Sequence, residues 1–228
     1  MINMKYFLFM AFAICVISNM AFVSCKDDDE SNDSRYTSYL SCPDNNHPHI
    51  IDLGLTSGTK WACCNVGAST PGEFGDYYAC GETETKATYD WDSYTHSKND
   101  KDAFNKKKDF SGTEYDVAHV RWGGKFRMAN ASKCRELWEQ CSHEMVTQEG
   151  VYGIRFTGDN GGSIFIPAAG YILGEILYNV GTSGFSWTSS IFSDASNMGM
   201  TLDYCNKMPV TGIDNDRCVG HTIRPVIH

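Results

Sequence analysis

Positive charge is in short supply in this chain. Its 228 residues hold 19 Lys and Arg against 28 Asp and Glu, a formal charge of -9. A nucleic-acid partner needs a basic footprint, so the balance argues against one. The densest basic stretch, 98–108, is interleaved with Asp100 and Asp102 and flanked by Asp109. It reads as a solvated loop rather than an anion site. Proline is scarce, at 6 residues against 21 glycines. No repeat of fixed period is present, which argues against a solenoid or propeller.

Metal and catalytic signatures are missing too. His47-Pro48-His49 has no Cys or His partner at a familiar ligand spacing. It reads as an exposed pair at the end of a tether. Asp159-Asn160-Gly161 and Asp214-Asn215-Asp216 lack the glutamate that closes an EF-hand ring. The paired Glu-Pro-Asn and Trp-Asn-Asp signals of calcium lectins do not occur either, and turn chemistry accounts for both stretches. No cofactor, metal or catalytic residue is expected.

What is present begins at the N-terminus. Lys5 precedes an apolar run from Tyr6 to Ile17, and Met20-Ala21-Phe22-Val23-Ser24-Cys25 follows. A positive start, an apolar segment of secretory length and a small residue before the cut describe an export signal over 1–24. A cysteine at the cut resembles a bacterial lipoprotein signal, in which Cys25 receives the lipid. Phe22 stands where the common box has Leu; Ser24 fits. The competing reading is an uncleaved anchor, since Tyr6 to Ser24 is just long enough to span. Ser18 and Asn19 interrupt it. Lys26, Asp27, Asp28, Asp29 and Glu30 come next. They resemble the surface-export tag of lipoproteins in the Bacteroidetes. Like charges repel, so such a run stays extended and solvated. The resemblance implies an outer-membrane protein facing the cell exterior. A plain spacer on a periplasm-facing anchor is the alternative. Residues 25–46 form an acidic tether, and 47–228 amount to one domain.

Ten cysteines are present. Cys15 leaves with the signal and Cys25 carries lipid. Cys42, Cys63, Cys64, Cys80, Cys134, Cys141, Cys205 and Cys218 remain. An even number in an exported chain permits disulfides, with 105 full pairings, and buried thiols are the alternative.

The domain reads as α+β, loop-rich, with short antiparallel strands and one main helix. Residues 50–55 and 60–66 flank Thr56-Ser57-Gly58 as a hairpin. The clearest helix covers about 130–141. Cys134, Leu137, Trp138 and Cys141 fall at i, i+3, i+4 and i+7, Asn130 or Ser132 can cap it, and Gly150 is its expected stop. Residues 151–157 alternate with period two, 159–162 turn, and 163–166 return to Pro167. A strand over 184–190 follows. Strands at 198–204, 208–213 and 219–227 read as a meander.

Taken together, certain motifs resemble the Fibrobacter succinogenes major paralogous domain, a family of bacterial surface proteins. They are Asp52-Leu53-Gly54-Leu55-Thr56-Ser57-Gly58-Thr59-Lys60-Trp61-Ala62, Cys64-Asn65-Val66-Gly67-Ala68, Gly75-Asp76-Tyr77-Tyr78-Ala79 and Gly81-Glu82-Thr83. Trp122-Gly123-Gly124, Arg127-Met128, Pro167-Ala168-Ala169-Gly170-Tyr171, Trp187-Thr188-Ser189-Ser190 and Ile223-Arg224-Pro225-Val226 complete them. Cys80 replaces a usual Trp, and Ala129-Asn130 a usual Pro-Thr. The resemblance implies a C-type-lectin-like fold, distantly akin to formylglycine-generating enzymes, and carries no functional residues with it. It also implies a Cys64–Cys141 disulfide, with both cysteines facing the core between sheet and helix.

An enzyme of the formylglycine-generating kind would need two close thiols near the C-terminus. Cys205 and Cys218 have a predicted strand between them, which separates them by about 10 Å, too far to bridge. The aromatics point elsewhere. Trp61, Trp122 and Trp187 read as core, whereas Tyr89, Trp91 and Tyr94 sit in a polar stretch as candidate exposed faces for sugar rings. The expected role is therefore non-catalytic recognition of a glycan or a protein partner, with a structural adhesin or fimbria-associated subunit as the alternative. Mass spectrometry of the native protein should find a lipid-bearing Cys25 as the N-terminus. An N-terminus at Met1, or a lipid-free Cys25, contradicts the signal reading.

Overall fold

A computed structural model describes residues 49–96, 108–191, 198–205 and 208–227. The signal 1–24, Cys25, the acidic run 26–30, the tether to 46, Cys42, His47, Pro48 and residues 98–107 lie outside the described residues.

The architecture is α+β with short antiparallel strands and one dominant helix. β1 (Ile50–Asp52) and β2 (Lys60–Ala62) form the expected hairpin, with Ile51 opposite Trp61. α1 (Val117–Trp122) was not legible in the sequence; Asp116 caps it by accepting from the His119 N–H at 3.0 Å. β3 (Arg127–Met128) leads into α2 (Ala131–Gln140), the helix the apolar stripe predicts. Asn130 is its N-cap and accepts from the Lys133 N–H at 3.1 Å. Cys134 and Leu137 are its buried residues. The turn of the first hairpin docks on its exposed side. Glu136 accepts from the Ser57 N–H at 2.8 Å and the Ser57 hydroxyl at 2.6 Å.

Gly150 does not end α2. Cys141 already has extended backbone at φ -109° and ψ 142°, and a further strand intervenes. β4 (Ser142–Gln148) pairs along its whole length with β5 (Val151–Thr157), which pairs with β6 (Ser163–Pro167). Glu149 and Gly150, at φ 50° and 84°, form the β4–β5 turn, the left-handed pair of a tight hairpin. The 159–162 turn lies against the first strand's backbone. A Cβ on Gly158 would sit 1.9 Å from the Leu53 carbonyl oxygen, so only glycine fits that approach.

β7 (Tyr171–Leu173) and β8 (Ile176–Tyr178) form a separate two-stranded hairpin. β9 (Ser183–Ile191), β10 (Met198–Cys205) and β11 (Met208–Asp216) make the meander, against which α2 packs. Residues 219–227 are not its next strand. They run through single bridges, His221 to Tyr78, Gly220 to Ile172 and Thr222 to Ser186. β12 (Pro225–Ile227) then enters the first sheet, in the order β1-β2-β12-β3.

The largest core cluster lies between α2 and these sheets and holds Trp61, Leu137, Phe156, Ile164, Leu202 and Val226. It also contains Cys64 and Cys141, and here the expected bridge fails: both are thiols, as are Cys63, Cys80, Cys134 and Cys218. The Cys64 Sγ lies 3.3 Å from the Ala68 carbonyl and donates to it, within the loop that follows β2. The pair is packed as small apolar groups.

Asp203 on β10 is wholly buried, and burial pushes its carboxyl from the ordinary 3.8 up to about 7. The folded state therefore holds a proton between about pH 4 and 7 that the unfolded chain releases. The stability this group contributes is complete below about pH 4 and is lost as pH rises to 7. The loss is on the order of 4 kcal/mol at most. Asp203→Asn should raise the urea midpoint at pH 8 and leave it near wild type at pH 4. Equal wild-type and variant midpoints at pH 8 contradict this assignment.

Candidate functional site

Three segments meet at a surface cleft of about 480 Å³, within the size range of small-molecule sites. Residues 81–86 form one side, Ser93, Thr95 and His96 a second, and Glu114 and Tyr115 the third. The first segment is held from behind. The Cys80 N–H donates to the Arg217 carbonyl at 2.8 Å, and the Tyr78 N–H to the His221 carbonyl at 2.9 Å. Gly81, at φ 76°, then turns the chain outward.

Glu82 organises the floor. It is 7% exposed and accepts from the Thr95 N–H at 2.6 Å and the Thr95 hydroxyl at 2.9 Å. Lys86 Nζ pairs with it at 2.8 Å and also donates to the Ser93 carbonyl at 3.1 Å. The same ammonium lies 5.5 Å from the Tyr89 ring centre and 5.6 Å from that of Tyr94, within cation–π range. Glu84 pairs with Arg121, whose Nε donates to the Thr83 carbonyl at 2.8 Å. Two of the three cleft carboxylates are thus matched by cations, and Glu114 adds the third charge.

His96 and Tyr115 line the cleft, and a row of aromatic rings runs behind them. Tyr94, His96 and Tyr115 meet edge to face, with ring centres 5.5 and 5.4 Å apart, and Trp91 meets Tyr94 in the same way at 5.5 Å. This revises the sequence-based candidates. Tyr89 and Tyr94 are buried, at 2% and 7% exposure, and are not displayed faces. Each hydroxyl finds a backbone carbonyl, Tyr89 donating to Tyr77 at 2.5 Å and Tyr94 to Cys80 at 2.7 Å. A satisfied hydroxyl lets a tyrosine ring go into the core even from a polar stretch. Trp91 is half-buried. The half-buried aromatic that lines the cleft is Tyr115, which sequence reasoning missed. It lies just before the unexpected helix α1, and nothing in its local sequence marked it.

The thiols offer little chemistry. Burial pushes Cys80 and Cys134 up to about 12, and Cys141 and Cys218 up to about 11. All four are protonated at neutral pH, whereas nucleophilic or metal-binding cysteines are thiolates. Among the described residues no group of three or more His, Cys, Asp and Glu is placed to hold a metal ion. No helix among them is long and apolar enough to cross a membrane. No protein-family model matches the chain, no curated protein matches it in sequence, and no solved structure matches it.

Proposed function

We propose that this protein is a lipid-anchored outer-membrane surface protein whose α+β domain recognises a glycan without catalysis. The single observation that carries the glycan reading is the composition of the cleft. It offers carboxylates, the hydroxyls of Thr83, Thr85, Ser93 and Thr95, an ammonium, an imidazole and the Tyr115 ring within about 480 Å³. Sugars present vicinal hydroxyls that carboxylates and hydroxyls bridge, and apolar C–H faces that lie on aromatic rings. The volume suits roughly one or two sugar rings. The near balance of charge, with Glu82 on Lys86 and Glu84 on Arg121, fits a neutral sugar better than an acidic one. The lipid anchor and surface address are supported by Cys25 and its acidic flank, and by the resemblance to the Fibrobacter succinogenes major paralogous domain.

The runner-up is a structural surface subunit, an adhesin or fimbria-associated protein. The exposed apolar residues of the β7–β8 hairpin favour it. A glycan array probed with the mature protein separates the two readings. Binding to a neutral glycan is expected, weakened about tenfold or more by Tyr115→Ala or Glu114→Ala, each a loss of about 1.4 kcal/mol or more. Trp91→Ala, away from the cleft lining, should change affinity far less. An empty array, or glycan binding untouched by both cleft changes, contradicts the proposal.

A further inference from the structure

The β7–β8 hairpin carries the largest concentration of exposed apolar side chains among the described residues. Leu173, Ile176, Leu177, Tyr178 and Val180 are between 37% and 58% exposed. The hairpin turns at Gly174-Glu175, with Gly174 at φ 62°, the left-handed first position of a two-residue turn. Leu173 pairs with Ile176 and Tyr171 with Tyr178, so these four share one face. The Tyr171 and Tyr178 rings stack at 5.4 Å.

The two edges of this hairpin differ. On the β7 side, Ile172 exchanges hydrogen bonds with Gly220 at 2.9 and 2.8 Å, and Gly174 with Tyr89 at 2.8 and 2.7 Å. The backbone groups of Ile172 therefore point away from β8, and its pairing with Leu177 is of the non-hydrogen-bonded kind. It follows that the N–H and C=O of Leu177 point outward on the far side of β8. Among the described residues no strand or bridge lies on that side. An apolar strand edge left open in this way is a template for another strand.

We propose that β8 pairs antiparallel with the β8 of a second copy of this chain, forming a two-fold dimer centred on Leu177. A two-fold axis there makes the interface self-complementary. The outward N–H and C=O of each Leu177 bond to those of its copy. Ile176 lies against the partner's Tyr178, and Glu175 against the partner's Asn179, so no like charges face each other. Charge favours this face over the rest of the surface. The chain carries -9 overall, yet between Asp159 and Asp194 its sole charged residue is Glu175. Two acidic copies can approach here with little repulsion. The five exposed side chains offer on the order of 400–500 Å² per copy, hence roughly 900 Å² in a dimer, the range of a reversible association.

Sedimentation equilibrium of the full chain, extracted in a density-matched mild detergent, tests this. Wild type should dimerise with a concentration-dependent midpoint in the micromolar range, on the order expected for this area. Ile176→Asp should weaken dimerisation about tenfold or more. Leu177→Pro should do the same, because it removes an N–H that the hairpin does not use, and proline is tolerated at such an edge. Both variants should keep the wild-type unfolding midpoint, and if Ile176→Asp fails to fold, Leu177→Pro decides. A wild type that stays monomeric throughout overturns the proposal, as does a dimer indifferent to Leu177→Pro. Flotation of the monomeric mature chain made without its lipid, with phosphatidylethanolamine–phosphatidylglycerol vesicles, lost in Ile176→Asp, would assign the patch to a lipid surface and overturn it as well.

Discussion

A single buried guanidinium ties the parts of this domain together. Arg224 is 1% exposed. Its Nε donates to the Asn65 side-chain oxygen at 2.8 Å, its Nη1 to the Ala62 carbonyl at 3.0 Å and its Nη2 to the Phe165 carbonyl at 2.9 Å. Its backbone N–H donates to Ser186 Oγ at 3.1 Å. Asn65 in turn donates to the Phe74 carbonyl at 2.8 Å. The planar fork thereby joins the end of β2 and the loop after it to β6, and the backbone N–H of the same residue adds β9, three stretches far apart in sequence. A buried cation is costly unless its donors are satisfied, and charged hydrogen bonds are the stronger kind. Geometry this specific also leaves the C-terminal segment one position in which to lie.

That segment then acts as a mast for both candidate sites. Arg217 and His221 receive the N–H groups of Cys80 and Tyr78, which set the start of the cleft wall. Gly220 holds β7 through Ile172, and so positions the exposed hairpin. Thr222 receives the Trp187 N–H at 3.0 Å, and Ile223 the Val66 N–H at 3.0 Å. Both the cleft wall and the hairpin are thus positioned by backbone hydrogen bonds to one irregular segment rather than by the larger sheets. His221 sits where these contacts converge, with neither ring nitrogen hydrogen-bonded and Trp187, Phe185 and Tyr171 around it. Burial depresses its imidazole to about 3, so it remains neutral and packs as an aromatic ring.

The parts legible in the sequence are those with strong local periodicity. The Cys134–Leu137–Trp138 stripe gives α2, and alternation around Asp159-Asn160-Gly161-Gly162 gives β5 and β6. β4 was hidden because it is an edge strand with a largely exposed, polar surface, and its residues carry no apolar alternation to see. Residues 219–227 look like one strand of the meander, but Gly220, His221 and Thr222 are buried and held by single bridges, and only Pro225–Ile227 pair in a sheet, the first one. The cleft was half legible. The stretch holding Tyr89, Trp91 and Tyr94 does border it, yet the burial of two of these rings depends on carbonyls of Tyr77 and Cys80, a tertiary fact. Tyr115 and the role of Glu82 required the fold. The same holds for the cysteines, whose number permits bridges, whereas Cys63, Cys64, Cys80, Cys134, Cys141 and Cys218 are buried thiols.

The mast is tested by Arg224→Lys. A lysine keeps the charge but cannot reach three acceptors in one plane. Unfolding in urea should show a loss of about 3–5 kcal/mol. Hydrogen exchange should quicken at the amides of Tyr78, Cys80 and Ile172, which bond to the mast and not to Arg224 itself. A variant with wild-type stability, or one whose loosened exchange stays confined to the neighbours of residue 224, contradicts the account.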